Sequence, residues 1–128
     1  MLLLDTHALL WWSSEPSRVS AQAQAAIEGA STLAICPITW YELSWMAANG
    51  RVQPTIPVAS WLSGLASQVQ SLQITPAIAG RAAELPPNFP KDPADRLIFA
   101  TAVEHGIRLV TKDRGLRDHK ASRAVTLW

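Results

Sequence analysis

Short apolar runs alternate with longer stretches of mixed polarity along this chain. Leu2–Leu4 is an unbroken apolar run ended by Asp5, as expected of a strand buried on both faces. Leu33–Cys36 and Arg108–Thr111 also read as buried strands, Leu72–Ile74 is strand-like, and Ala124–Leu127 is a candidate last strand. Between them the pattern predicts a short helix over Thr6–Trp12 and a longer one over Arg18–Glu28, closed by Gly29. Ile38–Ala48 is predicted helical with Asn49-Gly50 as its stop, followed by helices over Val58–Ser67 and Pro76–Glu84. Pro86-Pro87-Asn88-Phe89-Pro90 is a loop, because proline is excluded from helix interiors and sheet centres. Asp92–His105 is the clearest helix, closed by Gly106, and Arg114–Leu116 makes a further helical turn. Strands alternating with helices predict βαβ crossovers and a three-layer α/β/α fold around a central, mostly parallel sheet of four or five strands. With no internal repeat and no long linker, residues 1–128 are expected to form a single domain.

Composition narrows the class. A chain of 128 residues with 48% hydrophobic and 16% charged residues is expected to be compact and globular. A lone cysteine, Cys36, excludes an intrachain disulfide, and the lack of a Cys/His cluster argues against a zinc site. No basic segment precedes the first apolar run, and no apolar stretch approaches the roughly 18 residues of a membrane span. The chain therefore reads as soluble, unexported and cytoplasmic, with no membrane partner. Net charge is only +1, yet six of the eleven Lys/Arg residues fall between 108 and 123, against Asp113 and Asp118. Such a segment is either an ordinary solvated face or a holder of phosphate groups.

Functional groups of open α/β sheets gather beyond the carboxyl ends of the strands. Asp5 follows the first predicted strand and Asp113 follows Arg108–Thr111. Glu42 lies one turn into the helix after the second strand, and Asp92 and Asp95 begin the helix after the proline loop, spaced to share a face. Five of the ten acids thus fall where one sheet edge is able to collect them. Crowded carboxylates repel one another unless a cation lies between them. Oxygen ligands without Cys or paired His favour a hard ion, Mg²⁺ or Mn²⁺, and with it phosphoester hydrolysis. Each acid also has a purely structural reading. Thr39-Trp40-Tyr41-Glu42 fits a capping box, Asp92-Pro93 fits a cap followed by a first-position proline, and Asp5 and Asp113 each suit a cap. Capping does not require the acids to converge; a metal site does.

These residues resemble a known family. Leu2-Leu3-Leu4-Asp5-Thr6-His7-Ala8-Leu9-Leu10-Trp11-Trp12 is similar to the opening of VapC-type toxins, PIN-domain ribonucleases of bacterial toxin–antitoxin pairs. Pro37-Ile38-Thr39-Trp40-Tyr41-Glu42-Leu43 resembles their second acidic motif, Asp92-Pro93-Ala94-Asp95-Arg96-Leu97-Ile98-Phe99-Ala100 their third, and Leu109-Val110-Thr111-Lys112-Asp113 their fourth. The resemblance runs from Leu2 to about Leu127, with the four motifs in order. It implies a PIN-like fold and assigns Asp5, Glu42, Asp95 and Asp113 as metal-binding and catalytic acids. Asp95 is preferred to Asp92 because it immediately precedes the apolar helical run; Asp92 is then accessory, as is Thr6 beside Asp5. Ala94 replaces a common aromatic, and Arg114 follows Asp113 where an acid or other polar residue is frequent. The resemblance further implies a Mg²⁺-dependent (or Mn²⁺-dependent) endoribonuclease toxin that cleaves single-stranded or loop RNA to leave a 5′ phosphate. A small antitoxin would neutralise it, and the toxin would form a homodimer. Lys112, Arg114 and Arg117 would contact RNA phosphates.

Six tryptophans is a high number for 128 residues. Core packing is expected for at least half, and an apolar surface for a second protomer or an antitoxin helix for others. Trp11 and Trp12 diverge by about 100° on a helix, so both facing one core is unexpected. His7, His105 and His119 have no nucleophile or zinc spacing, and no Gly-x-Ser-x-Gly, Walker or dinucleotide motif occurs. Two alternatives stand beside the nuclease. One is a catalytically inactive PIN-like binding protein, disfavoured by retention of all four acids. The other is a phosphate-ester or phosphoacceptor domain, disfavoured because Asp5-Thr6-His7 lacks a second acid.

Overall fold

The computed structural model describes residues 1–128. In chain order the elements are β1 (Leu2–Leu4), α1 (Thr6–Ser14), α2 (Ala21–Gly29), β2 (Leu33–Ile35), α3 (Ile38–Ala48), α4 (Val58–Ala66), β3 (Gln70–Ser71), α5 (Pro76–Ala83), α6 (Pro93–His105), β4 (Arg108–Val110), α7 (Arg114–Arg117) and β5 (Thr126–Leu127). Two 3₁₀ turns, Pro16–Arg18 and Lys120–Ser122, complete the list. All strand pairs are parallel, in the order β3-β2-β1-β4-β5.

Alternation along three short strands separates two cores, since successive side chains of a strand point to opposite faces. Leu3, Ala34 and Leu109 pack on one side against Phe89, Ile98, Phe99, Ala102 and Leu116. Leu4, Ile35 and Val110 pack on the other against Ala8, Leu9, Ile27, Leu43 and Leu65. Helices α1 to α4 therefore cover one face and α6 and α7 the other, with α5 lying against α6 through Ile78, Ala82 and Ala100. The chain fills one side of β1 first, then crosses to build β4 and β5. The order of the sheet reverses between β1 and β4, and a crevice at the carboxyl end of such a reversal is where α/β sheets bind ligands.

Local chemistry explains most element starts. Ser20 accepts from Ala23 N at 3.1 Å, Thr75 from Ile78 N at 3.2 Å and Asp92 from Ala94 N at 2.9 Å, each filling an orphan donor of a helix start. At the other end of α6, Gly106 takes φ 62°, a left-handed cap that glycine adopts without a Cβ clash.

Four expectations need correction. The helix predicted from Arg18 begins at Ala21, because Val19 is extended and Ser20 caps the start. The strand expected over Leu72–Ile74 lies at Gln70–Ser71, and Leu72 only donates its N–H to Ile35 O at 2.9 Å before the chain leaves the sheet. Thr39 does not cap α3: Pro37 occupies that position without a side-chain bond, and Thr39 lies within the helix, fully buried. Finally, Trp11 and Trp12 do share one core, Trp11 as a buried member and Trp12 half-buried at its margin. That core wraps around α1 far enough to receive both rings.

Candidate active site

Asp5 leaves β1 beside β4, its N–H bonded to Val110 O at 3.1 Å. Its carboxylate caps α1, accepting from Ala8 N at 2.7 Å, and only 8% of the residue is exposed. Burial is the largest influence on this carboxyl and raises its pKa to about 6, against the hydrogen bonds of Thr111 and Ala8, which lower it. Asp113 ends the segment after β4 and caps α7 through Leu116 N at 3.0 Å, while its own N–H donates to the Thr111 hydroxyl at 3.1 Å. Gly115 leaves room for this carboxylate, because a Cβ at that position would lie 2.9 Å from Asp113 Oδ1 and displace it.

Glu42 turns away from its own helix start. The Thr6 hydroxyl donates to Glu42 Oε1 at 2.5 Å and lies 3.2 Å from the Thr39 hydroxyl. Two buried threonines thus hold the glutamate toward the end of β1. Asp95, in the first turn of α6, is half-buried and has its pKa raised to about 7. Burial contributes most; the negative charges of Asp92, Asp113, Glu42 and Asp5 follow in that order. All four other acids of the expected set therefore act on Asp95. Asp92 itself is exposed and occupied in capping α6.

The donor set suits a hard cation, being carboxylate oxygens with no thiolate among them. No three His, Cys, Asp or Glu residues close into a compact cage of direct ligands. Mg²⁺ does not need one, because it commonly retains several waters and takes one or two carboxylates directly. Asp5, Glu42, Asp95 and Asp113 are the candidates to hold it.

The family model for the PIN domain matches residues 2–121. The chain belongs to the PIN-domain family. It is 56% identical over 127 residues to ribonuclease VapC22 of Mycobacterium tuberculosis, covering 99% of this chain and 98% of that protein. Among solved structures, a toxin–antitoxin complex from Klebsiella pneumoniae contains a similar chain, with TM-score 0.72 and 23% identity, covering 100% of this chain and 97% of that one. VapBC2 from Rickettsia felis, bound to a DNA fragment from its promoter, gives TM-score 0.72 at 16% identity, covering 98% and 96% of the two chains. These likenesses establish the PIN fold.

The PIN domain carries a groove of about 1020 Å³ running from Glu42 and Asp92 past His7 and Trp11 to Trp45, Ile56 and Trp61. Tyr41 and Trp45 are 65% and 44% exposed, large values for aromatic side chains. Arg114 and Arg117 lie on α7 and do not line this groove. Sequence reasoning gave Thr39 a capping role instead of its contact with Thr6, and it missed Thr111 and Gly115, which lie beside the capping carboxylate of Asp113.

It also missed Arg96. This guanidinium binds the carbonyls of Pro90 at 2.8 Å, Ala82 at 3.2 Å, Pro86 at 3.3 Å and Leu85 at 3.4 Å, tying the proline loop to the start of α6. Arg96→Leu is expected to lower stability by on the order of 2–4 kcal/mol in urea unfolding, since hydrogen bonds to charged groups are individually strong. Arg96→Lys is expected to recover only part, because one ammonium cannot span the same carbonyls. A leucine variant as stable as the parent would show that the prolines alone fix the loop.

Proposed function

We propose that residues 1–128 act as one PIN domain with metal-dependent endoribonuclease activity, a toxin that hydrolyses single-stranded or loop RNA and leaves a 5′ phosphate. The observation that carries this reading is that the negative charges of Asp92, Asp113, Glu42 and Asp5 all bear on the half-buried Asp95. The near-full-length likeness to a protein named a ribonuclease supports it. Asp5, Glu42, Asp95 and Asp113 hold Mg²⁺ or Mn²⁺, with Thr6 fixing Glu42 and Asp92 accessory. When bound, such an ion offsets charge on a phosphodiester and makes water more acidic. The chain itself supplies orientation: caps and threonine hydroxyls hold the acids, and burial keeps Asp5 and Asp95 from carrying uncompensated charge at little cost. Lys112, Arg114 and Arg117 contact phosphates of the RNA.

The toxin acts in the cytoplasm, as a homodimer, and is neutralised by a small antitoxin that covers exposed aromatic surface such as Tyr41 and Trp45. No helix is long and apolar enough to cross a membrane. The test is cleavage of a single-stranded RNA with Mg²⁺ or EDTA, comparing the parent with Asp5→Asn. EDTA is expected to abolish cleavage, and the variant to lose at least about 100-fold, more than the loss usual for outer-shell partners. EDTA-resistant cleavage, or full activity of the variant, overturns the mechanism. An intact fold with no cleavage under any metal would favour a binding protein instead.

A further inference from the structure

We infer that Arg18 and Lys112, both seated against the indole of Trp11, form a subsite for the phosphate backbone of the RNA strand on the α1 side of the carboxylates. The inference rests on the nuclease reading above and adds to it a residue, Arg18, outside the basic 108–123 segment.

Trp11 is a rigid platform. It is 7% exposed, belongs to the core beneath α1, and meets His7 and Trp128 at centroid distances of 5.4 and 5.8 Å. Arg18 Cζ lies 4.2 Å from the ring centroid and Lys112 Nζ 4.9 Å from it. One comes from the turn after α1, the other from the segment after β4, so only the folded chain pairs them. Attraction to the indole restricts each of these long, mobile side chains.

Lys112 precedes Asp113 yet makes no salt bridge, and Arg18 pairs with Glu15 at 3.6 Å, a pair with both side chains about half exposed and therefore weakly held in water. Cations placed beside a carboxylate cluster without neutralising it remain available to an anion. Their position fits a polyanion in particular. Arg18 and Trp11 line the same groove as His7, Glu42 and Asp92, and Lys112 immediately precedes Asp113. A strand with its reacting phosphodiester at the acids would pass this pair with a neighbouring phosphate. Nucleic acid approaching a patch of carboxylates needs such flanking positive charge to offset repulsion.

The experiment uses the full chain carrying Asp5→Asn to suppress cleavage and a fluorescein-labelled single-stranded RNA oligonucleotide, with affinity read by anisotropy across a salt series. Adding Arg18→Gln and Lys112→Gln is expected to weaken binding and to flatten the slope of log affinity against log salt by about 1.4, at roughly 0.7 per lost phosphate contact. Lys112→Arg should keep the parent slope. Thermal melting of each variant separates this from a packing role, which would shift the midpoint and leave the slope alone. An unchanged slope in the double variant, with RNA still bound and cleaved by the parent, overturns the subsite and leaves the nuclease reading intact. A parent chain that neither binds nor cleaves RNA overturns both. A double variant that keeps its salt slope but loses affinity for an acidic peptide would assign the pair to a protein partner, and also overturns the inference.

Discussion

Asp95→Asn is expected to lower RNA cleavage by at least about 100-fold while making the metal-free protein more stable at alkaline pH. The first effect follows from the proposed function, in which Asp95 is one of the carboxylates that hold the metal. The second follows from linkage. Asp95 has its pKa raised from 3.8 to about 7, so the folded chain binds a proton that the unfolded chain has released across that interval. A raised carboxyl pKa therefore destabilises the fold as pH rises: the penalty is absent below the unfolded value, grows through the interval, and is complete above the folded one. After allowance for its partial exposure to solvent, the penalty is on the order of 2 kcal/mol. Asparagine keeps the size and loses the charge. The melting midpoint in EDTA should rise by roughly 5–10 °C at about pH 8 and differ little from the parent near pH 4. A variant less stable than the parent at the higher pH would mean that the charge of Asp95 is compensated within the apo fold.

The parent protein should show the complementary behaviour with metal. Asp5, raised to about 6, and Asp95, raised to about 7, make the metal-free fold lose stability as pH rises toward neutrality. Mg²⁺ held at these acids, as the proposed function has it, would compete with those protons, so its stabilising effect should be largest above about pH 7 and mostly absent near pH 5. An ion present at 100 times its dissociation constant raises stability by about 2.7 kcal/mol if it binds only the folded state. Melting with and without MgCl₂ at the two pH values tests this without any activity assay. Equal stabilisation at both would place the ion away from Asp5 and Asp95.

Several parts of the molecule were legible from local pattern, each for a physical reason. The runs Leu2–Leu4 and Leu109-Val110 lie in strands because a parallel sheet buried on both faces demands apolar sequence, with Arg108 exposed at the start of β4. Asp92-Pro93 and Gly106 bracket α6 as their capping chemistry requires. β3 was displaced in the prediction because Gln70 and Ser71, exposed at a sheet edge, contribute backbone pairing and no hydrophobic signal. Glu42 was ambiguous for a related reason. Its spacing from Thr39 satisfies a local capping rule, whereas its actual partner is Thr6, 36 residues away.

The four acidic motifs, the absence of a thiolate or paired-histidine ligand set and the alternation of strand and helix were all present in the order of the residues, because side-chain chemistry and backbone propensity are local properties. Spacing alone does not separate Asp92 from Asp95; the resemblance prefers Asp95, while the physical difference comes from packing, which leaves Asp92 exposed as a cap and brings the charges of Asp92, Asp113, Glu42 and Asp5 to bear on Asp95. Arg18 and Lys112 likewise reach the ring of Trp11 only in the folded chain. Desolvation and Coulomb energy depend on separation in space, and for residues brought together from opposite ends of the chain that separation exists only once the sheet has formed.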